Sequence, residues 1–458
     1  MPPRPPSASG RLSGSAGTDQ VSPSSSTVLN VSAGLNWTLP PSFWGANVRV
    51  YYPLGAAQTD AFTDRPIDFA RWPGGATTDE YNYTANRIYQ DSGTSYVPPS
   101  NESQFISWCR SVGCSAIFQL PAEIDDPSTA AYYVNYTIST LHFRPAYWEI
   151  GNEPALWTHF GIPWSLWRSS QNVNATPGSY AQTVQSYARA IRAVDPSAHL
   201  IGLPGVGTGG YGEASWITAT VRLNGPNLSA VAIHVYPAGG GTPPGTNVSG
   251  ASFLATLYGS GSLPYRVPRD RAAILAACPN CTRLALFVTE LGSGTNGGPY
   301  QSLMSSFPQV PYIAAELAQA IALHVPNVDL YALQANYSGS LLNLSGGSTI
   351  SDTLYALILS QLQSYVLNFS VSRSLPTVFL VPTRNAAGTQ FALLAISVND
   401  TSAERIGFGG AIFPSTDAGS MWTWGGGSVG PARSSWTTGN GPTSFLLPAR
   451  GVLLIEVA

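Results

Sequence analysis

Eight short apolar runs recur between residues 43 and 336: FWGANVRVYY (43–52), IDFARWPGG (67–75), CSAIFQLPAE (114–123), AYWEIGNEP (146–154), AHLIGLPGVG (198–207), SAVAIHVYP (229–237), RLALFVTELG (283–292) and NVDLYALQAN (327–336). Each is continuous rather than alternating, the pattern of a strand buried on both faces. Between them the period lengthens. SYAQTVQSYARAIRAVDP (179–196) places small and apolar residues at helical spacing and stops at Asp-Pro, and PYIAAELAQAIALHV (311–325) repeats the pattern. Eight strands alternating with helices predict a (β/α)8 barrel over residues 43–366. From residue 367 to 458 the helices vanish, and short strands alternate with Gly, Asn, Pro and Ser, which predicts a β-sandwich. Residues 28–42 alternate apolar and polar and are expected to add a strand to that sandwich. Residues 1–27, rich in Pro, Ser and Gly, are expected to be a disordered tail and hold no signal-peptide core.

Composition narrows the chemistry. Of the 458 residues 10% are charged, the formal net charge is −3, and all 21 cations are arginines. That balance argues against a nucleic-acid partner. The lack of lysine excludes Schiff-base chemistry and lysine-anchored cofactors. No apolar run is long enough to span a membrane. Asn-x-Ser/Thr acceptors begin at Asn30, Asn36, Asn82, Asn101, Asn135, Asn174, Asn227, Asn247, Asn280, Asn336, Asn343, Asn368 and Asn399. So large a set points to a secreted, extracellular glycoprotein. Asn336, at the expected end of the eighth strand, should stay unmodified. Cys109 with Cys114 and Cys278 with Cys281 read as two short-range disulfides, the rival being a four-thiolate zinc site. The low charge density suggests a protein that works in acid.

Candidate chemistry gathers at the strand ends, where such barrels keep their sites. The fourth strand ends at Asn152-Glu153 and the seventh at Glu290. Strands four and seven face each other across the mouth, so their carboxylates would too. Two opposed acids suit a retaining glycoside hydrolase: one attacks the anomeric carbon, the other protonates the leaving oxygen and then activates water. Arg71 closes the second strand beside WPGG, bonding either the nucleophile or the sugar, or else a structural carboxylate. Trp157, Trp164 and Trp167 follow the acid as possible sugar-stacking rings. Asp79, Glu80, Glu123, Asp125 and Asp126 read mainly as solvated loop charges. The five histidines lack metal-ligand spacing, and no cofactor is expected. GVGTGG (205–210) has the glycines of a dinucleotide loop but no acid about 20 residues on. No nucleophile elbow with a downstream His supports a serine hydrolase.

WEIGNEP and RWPGG resemble the clan of retaining glycosidases on (β/α)8 barrels, and are most similar to its β-glucuronidase/heparanase-like and α-L-arabinofuranosidase branches. The resemblance spans roughly residues 28–458. It implies Glu153 as acid/base, Glu290 as nucleophile and Asn152 as ligand of the sugar 2-hydroxyl. IHVYP resembles the strand-six segment that touches the nucleophile, here through His234 or Tyr236. Two features depart from the glucuronidases: LGSGTNGG follows Glu290, and no lysine is present to hold a glucuronate. Arabinofuranosides, xylosides, glucosides and galactosides stay open as substrates, as does a barrel that binds glycans without cleaving them.

Overall fold

The computed structural model describes residues 27–457, apart from 57, 60–66, 90–93, 124–125, 158–174, 206–212, 240–248, 295–299, 305, 336–339, 344–348, 374, 400–401, 410–417, 426, 429 and 438–443. The expected tail up to residue 26, Trp164, Trp167, Asp125, Asn174, Asn247, Asn336 and nearly all of GVGTGG lie outside the described residues.

Eight parallel strands close into a barrel in chain order: β2 (Trp44–Asn47), β3 (Phe69–Trp72), β7 (Ser115–Leu120), β8 (Tyr147–Ile150), β9 (Leu200–Gly202), β10 (Ala230–Val235), β11 (Ala285–Leu291) and β12 (Val328–Leu330). Each lies inside one of the eight apolar runs. The excursion after β3 holds a small antiparallel sheet of β4 (Tyr81–Asn82), β5 (Arg87–Tyr89) and β6 (Ser95–Tyr96), which the run pattern did not announce. Helices fill the crossovers. The helix Pro177–Val194 starts with a Thr176–Ser179 capping box and turns Tyr180, Val184, Tyr187 and Ile191 toward the strands. The helix Gln309–Ala322 is buried on nearly every side, because it lies between the barrel and a second sheet.

That second sheet is mixed and nine-stranded. It combines β1 (Thr27–Thr38) with β13 (Tyr365–Val371), β14 (Val378–Arg384), β15 (Phe391–Ser397), β16 (Glu404–Gly409), β17 (Gly419–Trp424), β18 (Ala432–Trp436), β19 (Ser444–Leu447) and β20 (Val452–Val457), in the order β18-β17-β20-β15-β14-β13-β1-β16-β19. The first strand is therefore tied to strands more than three hundred residues later, antiparallel to β13 and parallel to β16. The sheet curls, bringing β19 onto β15. Leu29, Leu367, Leu393, Ile406, Phe445, Leu447 and Ile455 pack inside the fold so made.

The barrel interior is layered by strand parity. Phe69, Ile117, Ile201, Ala230, Ala232 and Phe287 form an apolar plug, with Tyr147 against it. Two residues further along their strands stand Arg71, Gln119, Glu149, His234 and Thr289, all fully buried. Successive inward positions of a strand are two apart, so the plug supports a polar layer facing the C-terminal mouth.

The cysteines pair as Cys109–Cys114 and Cys278–Cys281, with Cα atoms 5.1 and 5.4 Å apart. Each sulfur is consumed in its own bond, which removes the four-thiolate zinc reading. Among the described residues, no helix is long and apolar enough to cross a membrane.

Candidate active site

The polar layer is organised around Arg71. Its Nε donates to Glu149 Oε2 at 2.6 Å, and Nη1 donates to Asn47 Oδ1 at 2.6 Å and to Glu290 Oε1 at 2.7 Å. Its Nη2 donates to Asn152 Oδ1 at 3.1 Å and faces His234 Nε2 at 3.4 Å. These contacts use all five guanidinium N–H groups. Arg71 is fully buried, so of the roles open to it the structure selects contact with Glu290, the expected nucleophile, and with Glu149, and no donor remains for a sugar. Burial works against its charge, but Glu149 and Glu290 outweigh that and hold it protonated.

Glu290 is the last residue but one of β11, where the pairing of β10 with β11 shifts register between Ile233 and His234. Thr289 keeps the inward parity of Phe287 and donates to Glu149 Oε1 at 3.2 Å, while the shift brings Glu290 level with His234. Glu290 itself turns to the mouth and accepts from Arg71 on one oxygen and from the Tyr236 hydroxyl on the other, at 2.6 Å. Its carboxylate is thus fixed in orientation. Gly75 makes room for it. With φ +71°, a Cβ there would stand 2.9 Å from the Tyr331 ring and 3.3 Å from Glu290 Oε1. The second glycine of WPGG, Gly75, is required by this approach.

Glu153 sits just beyond β8 in the left-handed region, φ 42° and ψ 60°. That conformation is uncommon for a residue with a side chain. Its side chain is 15% exposed, against 5% for Glu290. Glu153 Oε1 lies 2.8 Å from His234 Nδ1. One oxygen of Glu153, one of Glu290 and the His234 nitrogen all lie within 4.8 Å of one another.

His234 is fully buried, and burial pushes its pKa down to about 3, against the pull of Glu290 and with the Arg71 and Arg266 charges. It is therefore neutral and carries one ring proton. Arg71 Nη2 can only donate, so His234 Nε2 is the acceptor and Nδ1 bears the proton given to Glu153. This bears on metal binding. Glu153, His234 and Glu290 are the described cluster with metal-ligand proximity. The imidazole lone pair, however, points at Arg71 and not at the carboxylates. A metal here would have to reverse the tautomer and leave Arg71 facing an N–H.

Several residues are not where the sequence placed them. Trp157 is 1% exposed. Its indole N–H donates to Asn152 O at 2.8 Å and Asp79 Oδ2 at 3.2 Å, and the ring packs on Tyr180. It props the loop from beneath and has no free face for a sugar, because the loop turns inward there. Asp79 and Glu123 are buried rather than solvated, and burial raises the Asp79 pKa. The eighth strand stops at Leu330, so its expected end at Asn336 is not reached; Gln334 forms an isolated bridge to Leu342 instead. Asn47, Glu149, Thr289, Tyr331 and Arg49 were missed. The available signal for Glu149 was its parity: an acid opposite in phase to Trp148 and Ile150 must face the barrel interior.

No protein-family model and no curated protein sequence matches this chain. Solved structures do. An α-L-arabinofuranosidase from Thermotoga maritima, in complex with arabinose, superposes with a TM-score of 0.74 at 13% identity, covering 94% of this chain and 100% of that one. The GH51 arabinofuranosidase from Xanthomonas axonopodis pv. citri gives 0.74 at 15%, over 94% and 99%. A Paenibacillus polymyxa xyloglucanase of family GH44, with xyloglucan, gives 0.71 at 13%, over 95% and 100%. This chain has the fold of those hydrolases. The likeness extends through the β-rich domain as well as the barrel, over 94–95% of this chain.

Proposed function

We propose that this protein is a retaining glycoside hydrolase of the β-glucuronidase/heparanase-like type. Glu290 is the nucleophile and Glu153 the acid/base. The reading is carried by one observation: the two carboxylates, from opposite strands, approach within 4.8 Å at the mouth. Retaining enzymes hold their carboxyl groups about 5–5.5 Å apart, and inverting enzymes about 6.5–9.5 Å to admit a water.

In the first step Glu290 forms a bond to the anomeric carbon as the glycosidic bond breaks, and Glu153 gives its proton to the leaving oxygen. In the second step Glu153 takes a proton from water, which displaces Glu290. Arg71 and Tyr236 keep the attacking carboxylate aimed while its charge is consumed. His234 holds Glu153 through a neutral N–H. Asn152, 2% exposed beside the acid, is the proposed ligand of the sugar 2-hydroxyl. The chemistry needs no cofactor.

A second reading, an α-L-arabinofuranosidase or a xyloside- or glucoside-cleaving enzyme, is favoured by the arabinofuranosidase folds. Secretion and N-glycosylation fit the surface: of the ten acceptor asparagines among the described residues, none is buried. Chromogenic β-glucuronide, α-arabinofuranoside, β-xyloside and β-glucoside substrates test the reading against Glu290→Gln and Glu153→Gln. The variants should lose about three or more decades of rate while still binding sugar. Unchanged sugar binding with no hydrolysis even by the unaltered protein would establish a glycan-binding barrel instead.

A further inference from the structure

Arg49 is an anomaly at this mouth. It follows β2 and lies partly buried between three phenols, its Cζ 4.9 Å from the Tyr51 ring centroid, 5.5 Å from Tyr331 and 5.9 Å from Tyr52. Its Nε is buried with no hydrogen-bond partner. Among the described residues it joins no ion pair, whereas Arg71 beside it uses every donor. Ring faces stack on the plane of a guanidinium and leave its in-plane N–H groups unsatisfied. Burial works against the Arg49 charge, and the surrounding phenols and Glu290 hold it protonated, but no carboxylate pairs with it through hydrogen bonds among the described residues.

The position of Arg49 is tied to the nucleophile. A Cβ at Gly74 would stand 3.1 Å from Arg49 Cγ, and one at Gly75 would meet Tyr331 and Glu290 Oε1. The WPGG turn thus seats Arg49, Tyr331 and Glu290 against one another, and the Arg49 charge interacts with Glu290. A cation here opposes the positive charge that grows on a sugar ring during glycoside cleavage. The opposition disappears when the sugar brings an anion of its own. A planar carboxylate matches the guanidinium fork.

We propose that Arg49 selects the sugar at the nucleophile by pairing with a carboxylate on it, so that uronosyl glycosides are preferred to their neutral counterparts. This deepens the glycosidase reading and rests on it. Tyr51 and Tyr331 act as positioning residues that hold the guanidinium upright. The Tyr51 hydroxyl is itself anchored on Glu80.

The test compares aryl β-glucuronide with aryl β-glucoside, which differ at C6 by a carboxylate against a hydroxymethyl group. Unaltered protein should favour the glucuronide. Arg49→Gln should lower the glucuronide/glucoside ratio of kcat/KM by about 10- to 100-fold, mostly through KM, as expected for loss of a charged pair. Arg49→Lys, which keeps the charge and loses the fork, should fall between, and it carries the test if the Gln variant does not fold. An unchanged ratio in a folded variant overturns the proposal. Unaltered protein that cleaves only neutral glycosides overturns it and leaves the glycosidase reading standing. If no glycoside is cleaved, the glycosidase reading fails. Calorimetric titration with free glucuronate and glucose then decides: binding of glucuronate that Arg49→Gln abolishes supports the anion site, and no binding overturns it.

Discussion

The inward faces of the barrel and of the nine-stranded sheet are built from opposite chemistry. Inside the curled sheet stand Leu29, Leu367, Leu393, Ile406, Phe445, Leu447 and Ile455. At the same depth near the barrel mouth stand Asn47, Arg71, Gln119, Glu149, His234 and Thr289. Apolar burial at about 25 cal/mol per Å² accounts for the first set. The second set loses solvation on folding and regains it only through one closed network. Such a layer is justified by the orientation it imposes on Glu290 and Glu153, and not by stability. The two regions should therefore fail differently when mutated.

The largest stability effect is expected at Arg71. Arg71→Ala leaves Glu149 and Glu290 buried without their counter-charge, a loss of about 3–5 kcal/mol. Chemical denaturation reads it, and activity should vanish even in the fraction that stays folded. Stability within 1 kcal/mol of the parent would mean that the network is not closed as described. Next comes Ile455→Ala, a cavity between curled strands, at about 2–5 kcal/mol. Here kcat per folded molecule should be unchanged. A fall in kcat would join the two regions that the comparison separates.

The smallest effect concerns pH. Burial pushes the pKa of Asp68 up to about 6 and that of Glu102 up to about 7, well above ordinary carboxylates. A raised carboxyl pKa favours the neutral native form. Its contribution is complete below the unfolded value near ~4 and is lost as pH rises through about 6–7. The melting temperature should fall between pH 4 and pH 8, with Glu102 contributing up to about 3 kcal/mol. Glu102→Gln should flatten the profile. A melting temperature that rises toward pH 8 would contradict the assignment, and with it the acid-working character suggested by the sparse charge.

The same contrast governs what could be read from the chain. The eight barrel strands were legible because parallel strands buried on both faces leave continuous apolar runs. The helix at 177–194 was legible because its period and its Asp-Pro stop agree. Glu153 and Glu290 were legible as acids at the ends of apolar strands. Glu149 could be placed by its parity but not paired, since an acid inside YWEI shows its partner only when Arg71, 78 residues earlier, is folded against it. Trp157 was misread because a sequence does not say whether a loop aromatic turns outward to substrate or inward onto Tyr180. Arg49 escaped notice because its distinguishing feature, a buried Nε with no hydrogen-bond partner among the described residues, appears only after its neighbours have been placed.

The central claim is that Glu290 forms a covalent bond to the sugar, and trapping tests it most directly. A 2-deoxy-2-fluoro glycosyl fluoride of the preferred sugar slows both steps and lets the intermediate accumulate. Digestion and mass spectrometry should then find the label on the peptide FVTELG, at Glu290, with Glu153 unmodified. A label on another residue, or full hydrolysis of the parent glycoside to a product of inverted anomeric configuration with no label at all, would contradict the account.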